Sequence, residues 1–317
     1  MKLSVIIPTL NEVNFIHQLI ESIQEIDDTE KEIFIVDAGS NDGTREAVRE
    51  LSGKHLNLKL VENPAKYVSH GFNKAFQQAS GQYIALVGAH AIYPKNYFKE
   101  CIKVIEDGSC EASGGFLIQK GKTKKGEAIA TAMSSKFGVG DTDFRTSPVR
   151  SYVESVAFAV YDKAIFQKVG LFDESLTRNQ DDEFHYRLNH AGHRILMLPE
   201  LEIIYFVRES FKKLFTQYYN YGLYKPLVFK KVRSGMRVRH LIPSLFVIYL
   251  LSLPLAFFSI LWLLPLLIYS IFTLYFGWKG INSWKSKLWT PAVFPLLHIS
   301  YGWGFLNGLW KWKNHKS

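Results

Sequence analysis

The chain has 317 residues, 47% of them hydrophobic and 21% charged, with a formal net charge of +9. That content fills a sizeable core, as one large domain or a domain with an appendage, and excludes a disordered or fibrous protein. Two cysteines, Cys101 and Cys110, give neither a disulfide framework nor paired zinc-ligand spacing, which fits a reducing compartment.

Met1-Lys2 leads directly into Leu3-Ser4-Val5-Ile6-Ile7-Pro8, too short for a signal peptide and without a small-residue cleavage site. The N-terminal part is therefore expected to stay in the cytoplasm. Val5 to Ile7 reads as a first strand, followed by Phe15, Leu19, Ile20 and Ile23 at helical spacing. Ile33 to Val36 reads as a second strand and Leu58 to Val61 as a third. A helical stretch around Phe72 to Ala79 precedes Tyr83 to Val87, a fourth strand with the unbroken apolar run of one buried on both faces. This alternation predicts an α/β domain with a mainly parallel central sheet.

Ligands of open α/β sheets bind beyond the carboxyl ends of the strands, and the polar residues fall there. They are Thr9-Leu10-Asn11-Glu12, Asp37-Ala38-Gly39-Ser40-Asn41-Asp42-Gly43-Thr44 and Gly88-Ala89-His90-Ala91. An acid that ends a buried strand and enters a Gly, Ser and Asn loop suits a base or ribose site, with Gly39 and Gly43 letting the backbone turn sharply. Thr44 is placed to cap the next helix. An Asx turn that only links strand to helix explains the same residues equally well.

Further along, Lys120 to Lys125 reads as an exposed loop, and Asn179-Gln180-Asp181-Asp182-Glu183-Phe184-His185-Tyr186-Arg187 packs three acids before a helix. Acids in a first turn favour the helix dipole; a carboxylate there can equally serve as a general base. Nine basic residues from Arg208 to Arg239 face a single acid, Glu209, and Phe211, Leu214, Phe215, Tyr218 and Tyr221 recur at helical spacing within Ser210 to Lys230. Residues 208–240 thus resemble a basic amphipathic interfacial segment, with packing against the preceding domain as the alternative.

Leu241 to Phe276 contains no Asp, Glu, Lys, Arg or His. It is too long for one crossing of a roughly 30 Å hydrocarbon core and fits two short ones, so residues 241–276 are expected to form a transmembrane hairpin. Residues 288–310, rich in Trp and Tyr, are expected to form a third span or an interfacial helix. Basic residues before 241 and at Lys279, Lys285 and Lys287 place both flanks of the hairpin inside. The uncharged run directly after the basic segment points to an anionic membrane surface and away from nucleic acid.

The first two motifs, Ser4 to Glu12 and Ile35 to Thr44, resemble the opening of the family 2 glycosyltransferases, which have a GT-A fold, and the likeness extends over roughly residues 1–225. Gly88-Ala89-His90-Ala91 with Tyr93-Pro94, Phe137-Gly138-Val139-Gly140 and Asn179-Gln180-Asp181 with Tyr186-Arg187 resemble the succinoglycan-biosynthesis branch. The resemblance implies an inverting transfer of a sugar from a nucleotide-diphosphate donor, usually a UDP-sugar. Thr9, Glu12 and Asp37 would hold the base, with Gly39, Gly88 and Ala89 lining the donor crevice.

Lys66 is a candidate phosphate contact. Asn73 also matches the pattern, whereas His70 and Lys74 read as a solvated helix face. Asp181 aligns with the general base, Gln180 replaces the usual preceding acid, and Asp182 and Glu183 read as supporting or exposed. Gln217 and Tyr218 fall where relatives close the donor and acceptor sites.

The chain departs from the family at Gly88-Ala89-His90, where Asp-x-Asp is usual. A divalent cation, Mn²⁺ or Mg²⁺, is implied, and His90 is a candidate ligand by position although imidazole suits Mn²⁺ better than Mg²⁺. Expected partners are the nucleotide sugar, a membrane-held acceptor such as a polyprenyl-diphosphate-linked saccharide of exopolysaccharide or capsule synthesis, and the cell inner membrane, crossed more than once with the catalytic domain cytoplasmic. The alternative is a non-catalytic member of a polysaccharide assembly complex that binds nucleotide sugar or acts as a scaffold.

Overall fold

The computed structural model describes residues 2–233, 236–281 and 283–314. The chain divides into two compact units, one of Met1–Leu117 and Pro148–Tyr205, the other of Ile118–Ser147 and Phe206–Ser317. Residues 118–147, expected in the N-terminal domain, thus belong with the C-terminal helices.

The first unit is built on β1 (Leu3–Thr9), β2 (Lys31–Asp37), β3 (Leu58–Glu62), β4 (Tyr83–Leu86), β5 (Ala91–Ile92), β6 (Ala112–Lys120), β7 (Ser151–Tyr152), β8 (Val160–Asp162) and β9 (Ile195–Phe206). Its helices are α1 (Val13–Gln24), α2 (Thr44–Lys54), α3 (Val68–Phe76), α4 (Tyr97–Glu106), α8 (Ala164–Val169) and α9 (Gln180–His190). In the second unit lie α5 (Lys124–Met133), α6 (Lys136–Val139), α7 (Asp143–Thr146), α10 (Phe211–Val232), α11 (Val238–Leu251), α12 (Leu264–Lys279), α13 (Trp284–Lys287) and α14 (Thr290–Lys311).

The strand order is β3-β2-β1-β4-β8-β6-β9-β5, with β7 also on β9. β1 pairs in parallel with β2 and β4, and β2 with β3, but β8 runs antiparallel to β4 and β6, and β9 antiparallel to β5 and β7. The expectation of a mainly parallel sheet is therefore corrected to a mixed one. The apolar runs of β1, β2 and β4 signal burial on both faces, whereas short β5, β7 and β8 carry too few residues for a periodicity to show.

Leu3, Val5, Ile6 and Ile7 of β1 and Ile33, Phe34 and Ile35 of β2 are fully buried. Two charged residues inside β2 are accommodated by partners. Lys31 Nζ donates to the carbonyls of Ile23, Gln24, Ile26 and Asp27 at the end of α1. Glu32 accepts from Ser4 Oγ at 2.7 Å, Ser80 N at 2.6 Å and Lys59 Nζ at 3.0 Å. Burial alone would raise the Glu32 pKa, but these bonds outweigh it and hold the carboxyl at about 2.

Against the sheet, Phe72 stacks on Phe172 at 4.2 Å between centroids, and Phe166 on Phe184 at 4.7 Å. Phe184 lies on α9, so this cluster seats the helix that carries Asp181.

In the second unit, the apolar face of α10 is covered by α14 rather than left open along headgroups. Gly304 and Gly308 of α14 allow the approach, because a Cβ at either would overlap the α10 backbone at Tyr219 or Leu223. Lys230 Nζ donates to the carbonyls of Trp312 and Lys313 at 3.2 and 3.0 Å, where α14 ends. Residues 288–310, expected as a third span or an interfacial helix, lie mostly in α14, which packs on α10 and α11. Among the described residues, one helix, Ile260–Lys279, is long and apolar enough to cross a membrane, with mean hydropathy 1.9. The length counted from sequence for two crossings is divided, because α11 stops at Leu251 and 3₁₀ turns occupy Leu253–Phe257 and Ile260–Leu263.

Phe72 is fully buried. Phe72→Ala is expected to destabilise the first unit by about 3–5 kcal/mol, measured by urea unfolding followed through tryptophan-independent far-UV circular dichroism.

Candidate active site

The loops after β1 and β2 form one hydrogen-bonded body. Thr9 O accepts from Ala38 N at 2.9 Å, Asn11 N donates to Ser40 Oγ at 2.8 Å, and Asn41 N donates to Asn11 Oδ1 at 3.0 Å. Glu12 N donates to Thr44 Oγ1 at 2.8 Å and Val13 N to Asp42 Oδ2 at 3.1 Å. Thr44 was expected as a helix cap. Instead Gly43, at φ 98°, holds the N-cap position and Thr44 opens α2, with its hydroxyl spent on Glu12 and Asp42.

Thr9, Glu12 and Asp37 are all buried around these loops. Asp37 accepts from Gly39 N and Ser40 N, both at 3.0 Å, and lies 3.6 Å from Arg45 Nε. The Asx turn weighed from sequence is therefore present. Gly39 has φ 88°, and Lys66, itself at φ 67°, lays its side chain over it, with Cε 3.7 Å from the Cβ position.

Beyond β4, Gly88 N donates to Tyr93 Oη at 2.8 Å. A Cβ on Gly88 would overlap the ring of Phe158, which stands where the first side chain of an Asp-x-Asp motif would start. Phe158 is held at φ 55°, unusual for a bulky residue, and its carbonyl accepts from Tyr97 Oη at 2.7 Å. Of the six positive-φ residues other than glycine among the described residues, Asn11, Lys66, Phe158 and Asn179 lie in the segments that carry or flank candidate site residues. Strain gathers there because the surrounding bonds over-determine the backbone.

His90 follows Ala89, with Nε2 2.7 Å from Glu12 Oε1 and its ring edge-on to Phe15 at 5.8 Å. This corrects the expected inner face of α1: Ile16 fills the core, and Phe15 turns outward onto His90. The imidazole is engaged by a carboxylate, and among the described residues no three His, Cys, Asp or Glu side chains gather to hold a metal ion. His90 and Glu12 are thus the two side chains with metal-binding atoms that meet at this turn.

Asn73 is turned away from the loops. Its amide donates to Phe172 O at 2.8 Å and to Glu174 Oε1 at 3.0 Å, and accepts from Phe172 N, tying α3 to that turn.

Asp181 sits in the first turn of α9, behind Asn179 at φ 60°. Glu183, expected as supporting or exposed, is buried and pairs with Arg187 at 2.6 and 2.9 Å. Behind Asp181 runs a chain of polar groups that the sequence did not announce. Ser155 Oγ donates to Asp182 Oδ1 at 3.1 Å and lies 2.9 Å from His185 Nδ1, while His185 Nε2 lies 2.8 Å from Tyr161 Oη. With the serine proton given to Asp182, Nδ1–H donates to Ser155 and Tyr161 O–H donates to Nε2, which leaves His185 neutral.

Burial pushes the His185 pKa down to about 4, against a smaller opposing effect of Asp182. Burial, with the Asp181 charge second, pushes the Tyr161 phenol well up. His185 is four residues after Asp181, a same-face signal readable from sequence. Ser155 and Tyr161 had none. Gln217 and Tyr218 lie on α10 in the second unit, where Gln217 Nε2 donates to Tyr221 Oη at 2.9 Å.

The model of Glycosyl transferase family 2 matches residues 4–170. The chain is 30% identical to the succinoglycan biosynthesis protein ExoA of Rhizobium meliloti (strain 1021), over 95% of this chain and 93% of that one. The chain belongs to glycosyl transferase family 2.

This transferase is also 28% identical to the dolichyl N-acetyl-alpha-D-glucosaminyl phosphate 3-beta-D-2,3-diacetamido-2,3-dideoxy-beta-D-glucuronosyltransferase of Methanococcus voltae, over 98% of this chain and 97% of that one. Among solved structures, the mannosyltransferase PcManGT from Pyrobaculum calidifontis, in complex with GDP-Man and Mn²⁺, superposes with a TM-score of 0.65 at 19% identity, covering 93% of this chain and 87% of that one. The fold is accordingly GT-A-like, with a mixed sheet.

Two measurements probe this arrangement. Gly88→Ala is expected to cost about 1–3 kcal/mol, and the double variant with Phe158→Ala to be less destabilised than the sum of the two single changes, read as a double-mutant cycle in urea. For His185, the unfolded chain takes a proton below about pH 6.5 that the folded chain refuses until about pH 4. Its stabilising effect is complete above that window and shrinks as pH falls through it, by about 2 kcal/mol at pH 5. Glu32 has the opposite kind of ionisation and loses its contribution only between about pH 4.5 and 2. Between pH 7 and 5 the melting temperature should therefore fall, and less so in His185→Gln.

Proposed function

We propose that this glycosyltransferase moves a sugar from a nucleotide-diphosphate donor, a UDP-sugar, to a hydroxyl of a lipid-linked saccharide, with inversion, in the assembly of a surface polysaccharide. The observation that carries the reading is the bonded pair of loops 9–12 and 37–44, which gathers Thr9, Glu12 and Asp37 at the ends of adjacent strands. Glycans named as succinoglycan and as dolichyl-linked in the two full-length relatives support a polysaccharide product and a lipid-linked acceptor.

In this reading Asp37 and Thr9 take the base and ribose, and the exposed Lys66 ammonium meets the diphosphate. Gly88 and Ala89 let the donor approach the backbone, and His90 is held in place by Glu12. Asp181 accepts the proton of the acceptor hydroxyl as its oxygen bonds to the anomeric carbon. The bond from that carbon to the diphosphate oxygen breaks on the opposite side, and its electron pair leaves with the nucleotide. Leaving-group charge is assigned to Lys66 and backbone N–H groups, with His90 and Glu12 as the side chains that would hold a divalent cation if one takes part. Gln217 and Tyr218 are assigned to the acceptor or diphosphate region, and Asn73 to positioning α3.

The apolar C-terminal segment attaches the enzyme to the inner membrane with the catalytic domain in the cytoplasm. Attachment at the bilayer puts the lipid-linked acceptor within reach.

Asp181→Asn keeps the side-chain shape and removes the base. It is expected to lower transfer to a polyprenyl-diphosphate saccharide by about 10²–10⁴-fold while leaving UDP-sugar binding unchanged, measured by radiolabelled transfer and by calorimetry. Full transfer by this variant would remove Asp181 from the mechanism.

A further inference from the structure

The apolar hairpin of the second unit has two anchored ends and one bare tip. At its entrance, Arg239 Nη1 lies 2.6 Å from Asp141 Oδ1 and 2.7 Å from Asp141 O. At its exit, a Cβ on Gly280 would stand 3.1 Å from Thr131 Cγ2, and Ser286 Oγ of α13 donates to the Glu127 carboxylate. Both ends thus return to the short stretch 127–141. Both are flanked by cations, Arg237 and Arg239 on one side and Lys279, Lys285 and Lys287 on the other.

The tip has the opposite character. Phe257 is 91% exposed, Phe258 82%, and Ile260 and Leu261 74% each. No charged or amide side chain lies anywhere from Leu241 to Phe276. Three polar side chains near the turn bond among themselves, while Ser259 is exposed at the tip. Ser252 Oγ donates to Tyr249 O at 2.7 Å, Trp262 Nε1 donates to Ser252 Oγ at 3.1 Å, and Tyr249 Oη donates to Trp262 O at 2.8 Å.

Part of the backbone of the turn is paired as well, on either side of Ser259 to Leu261. Leu255 N, Phe258 N and Trp262 N donate to the carbonyls of Ser252, Leu255 and Ser259 at 2.9 to 3.0 Å, and Pro254 and Pro265 have no N–H to satisfy. A turn in water has no need of such pairing. In hydrocarbon each unmatched group costs several kcal/mol, so pairing is required. The 14 residues of α11 rise about 21 Å to these cross-bonds, short of the roughly 30 Å core.

We propose that Val238–Lys279 is a re-entrant hairpin that enters and leaves the bilayer on one side, with the tip around Phe257 to Leu261 seated in hydrocarbon. The chain is then embedded in one face of the membrane and does not cross it. This rests on the membrane attachment proposed above and specifies its form: the partner of the tip is the acyl interior, not the headgroups of the far leaflet.

The test uses full-length Phe258→Cys and Leu261→Cys in bacterial membrane vesicles of both orientations, with a membrane-impermeant maleimide. Both side chains are exposed, so the substitutions leave packing intact, and labelling is read against the unsubstituted chain, whose Cys101 and Cys110 are buried. The expected result is no labelling from either face, labelling after detergent, and labelling of a Lys285→Cys control in inside-out vesicles alone. Labelling of position 258 or 261 in right-side-out vesicles would overturn the hairpin and leave the membrane reading standing. Release of the protein from vesicles by alkaline carbonate, with the tip cysteine reactive in the aqueous fraction, would overturn both.

Discussion

β1 is bonded along both edges, to β2 over seven residues and to β4 over four, and its core side chains are fully buried. A slip of one residue in either pairing would turn Val5 and Ile7 to the face occupied by Ile6, so the register is strongly fixed. Fixed register sets where the strand ends emerge. Thr9 pairs opposite Asp37, and the loops beyond them then meet at the distances their hydrogen bonds require. The site is in this sense an outcome of strand pairing, and the strained residues Asn11, Gly39 and Lys66 persist because the sheet leaves their loops no other course.

Phe158 explains the departure at Gly88 in physical terms. An aspartate at 88 requires the volume that the ring occupies, and the ring is kept there by a backbone at φ 55° and by the Tyr97 hydroxyl on its carbonyl. Loss of the first acid and presence of the ring are one structural choice. The position of the last acid is held by His90, whose ring is steered by Glu12 and Phe15. The usual acidic character of this turn is replaced by an imidazole–carboxylate pair.

Much of this was legible in the sequence where strands are long and apolar. The first, second and fourth strands followed from apolar runs that two-sided burial explains, and the third from the shorter Leu58 to Val61 segment, which is exposed at Lys59 and Glu62. The antiparallel half was not legible, since β5 has two residues, β7 two and β8 three. Phe15 and Ile16 are adjacent and both apolar, and it is Ile16 that continues the buried face of Leu19, Ile20 and Ile23, leaving Phe15 to meet His90. Asp181 was singled out through its place in the family pattern, since three acids in a first turn fit the helix dipole equally well. The Ser155 and Tyr161 partners of His185 come from other segments, and no local pattern ties residues 155, 161 and 185 together. The amphipathic stripe on α10 was read correctly as apolar, but a stripe does not reveal what covers it. In this chain the cover is α14, reached through glycines whose role depends on a partner helix.

Both units apply one rule to polar atoms withdrawn from water. In the first, Tyr161, His185, Ser155 and Asp182 form a chain in which each donor has an acceptor, which lets a histidine stay neutral and fully buried beneath the turn that carries Asp181. In the second, Tyr249, Ser252 and Trp262 close on one another at a turn whose surface is almost wholly apolar. Protein interior surrounds the first set, so its pairing follows from packing. The second set lies beside side chains left largely uncovered by the fold, and there the Trp262 bonds to Tyr249 and Ser252 tie the two sides of the turn together.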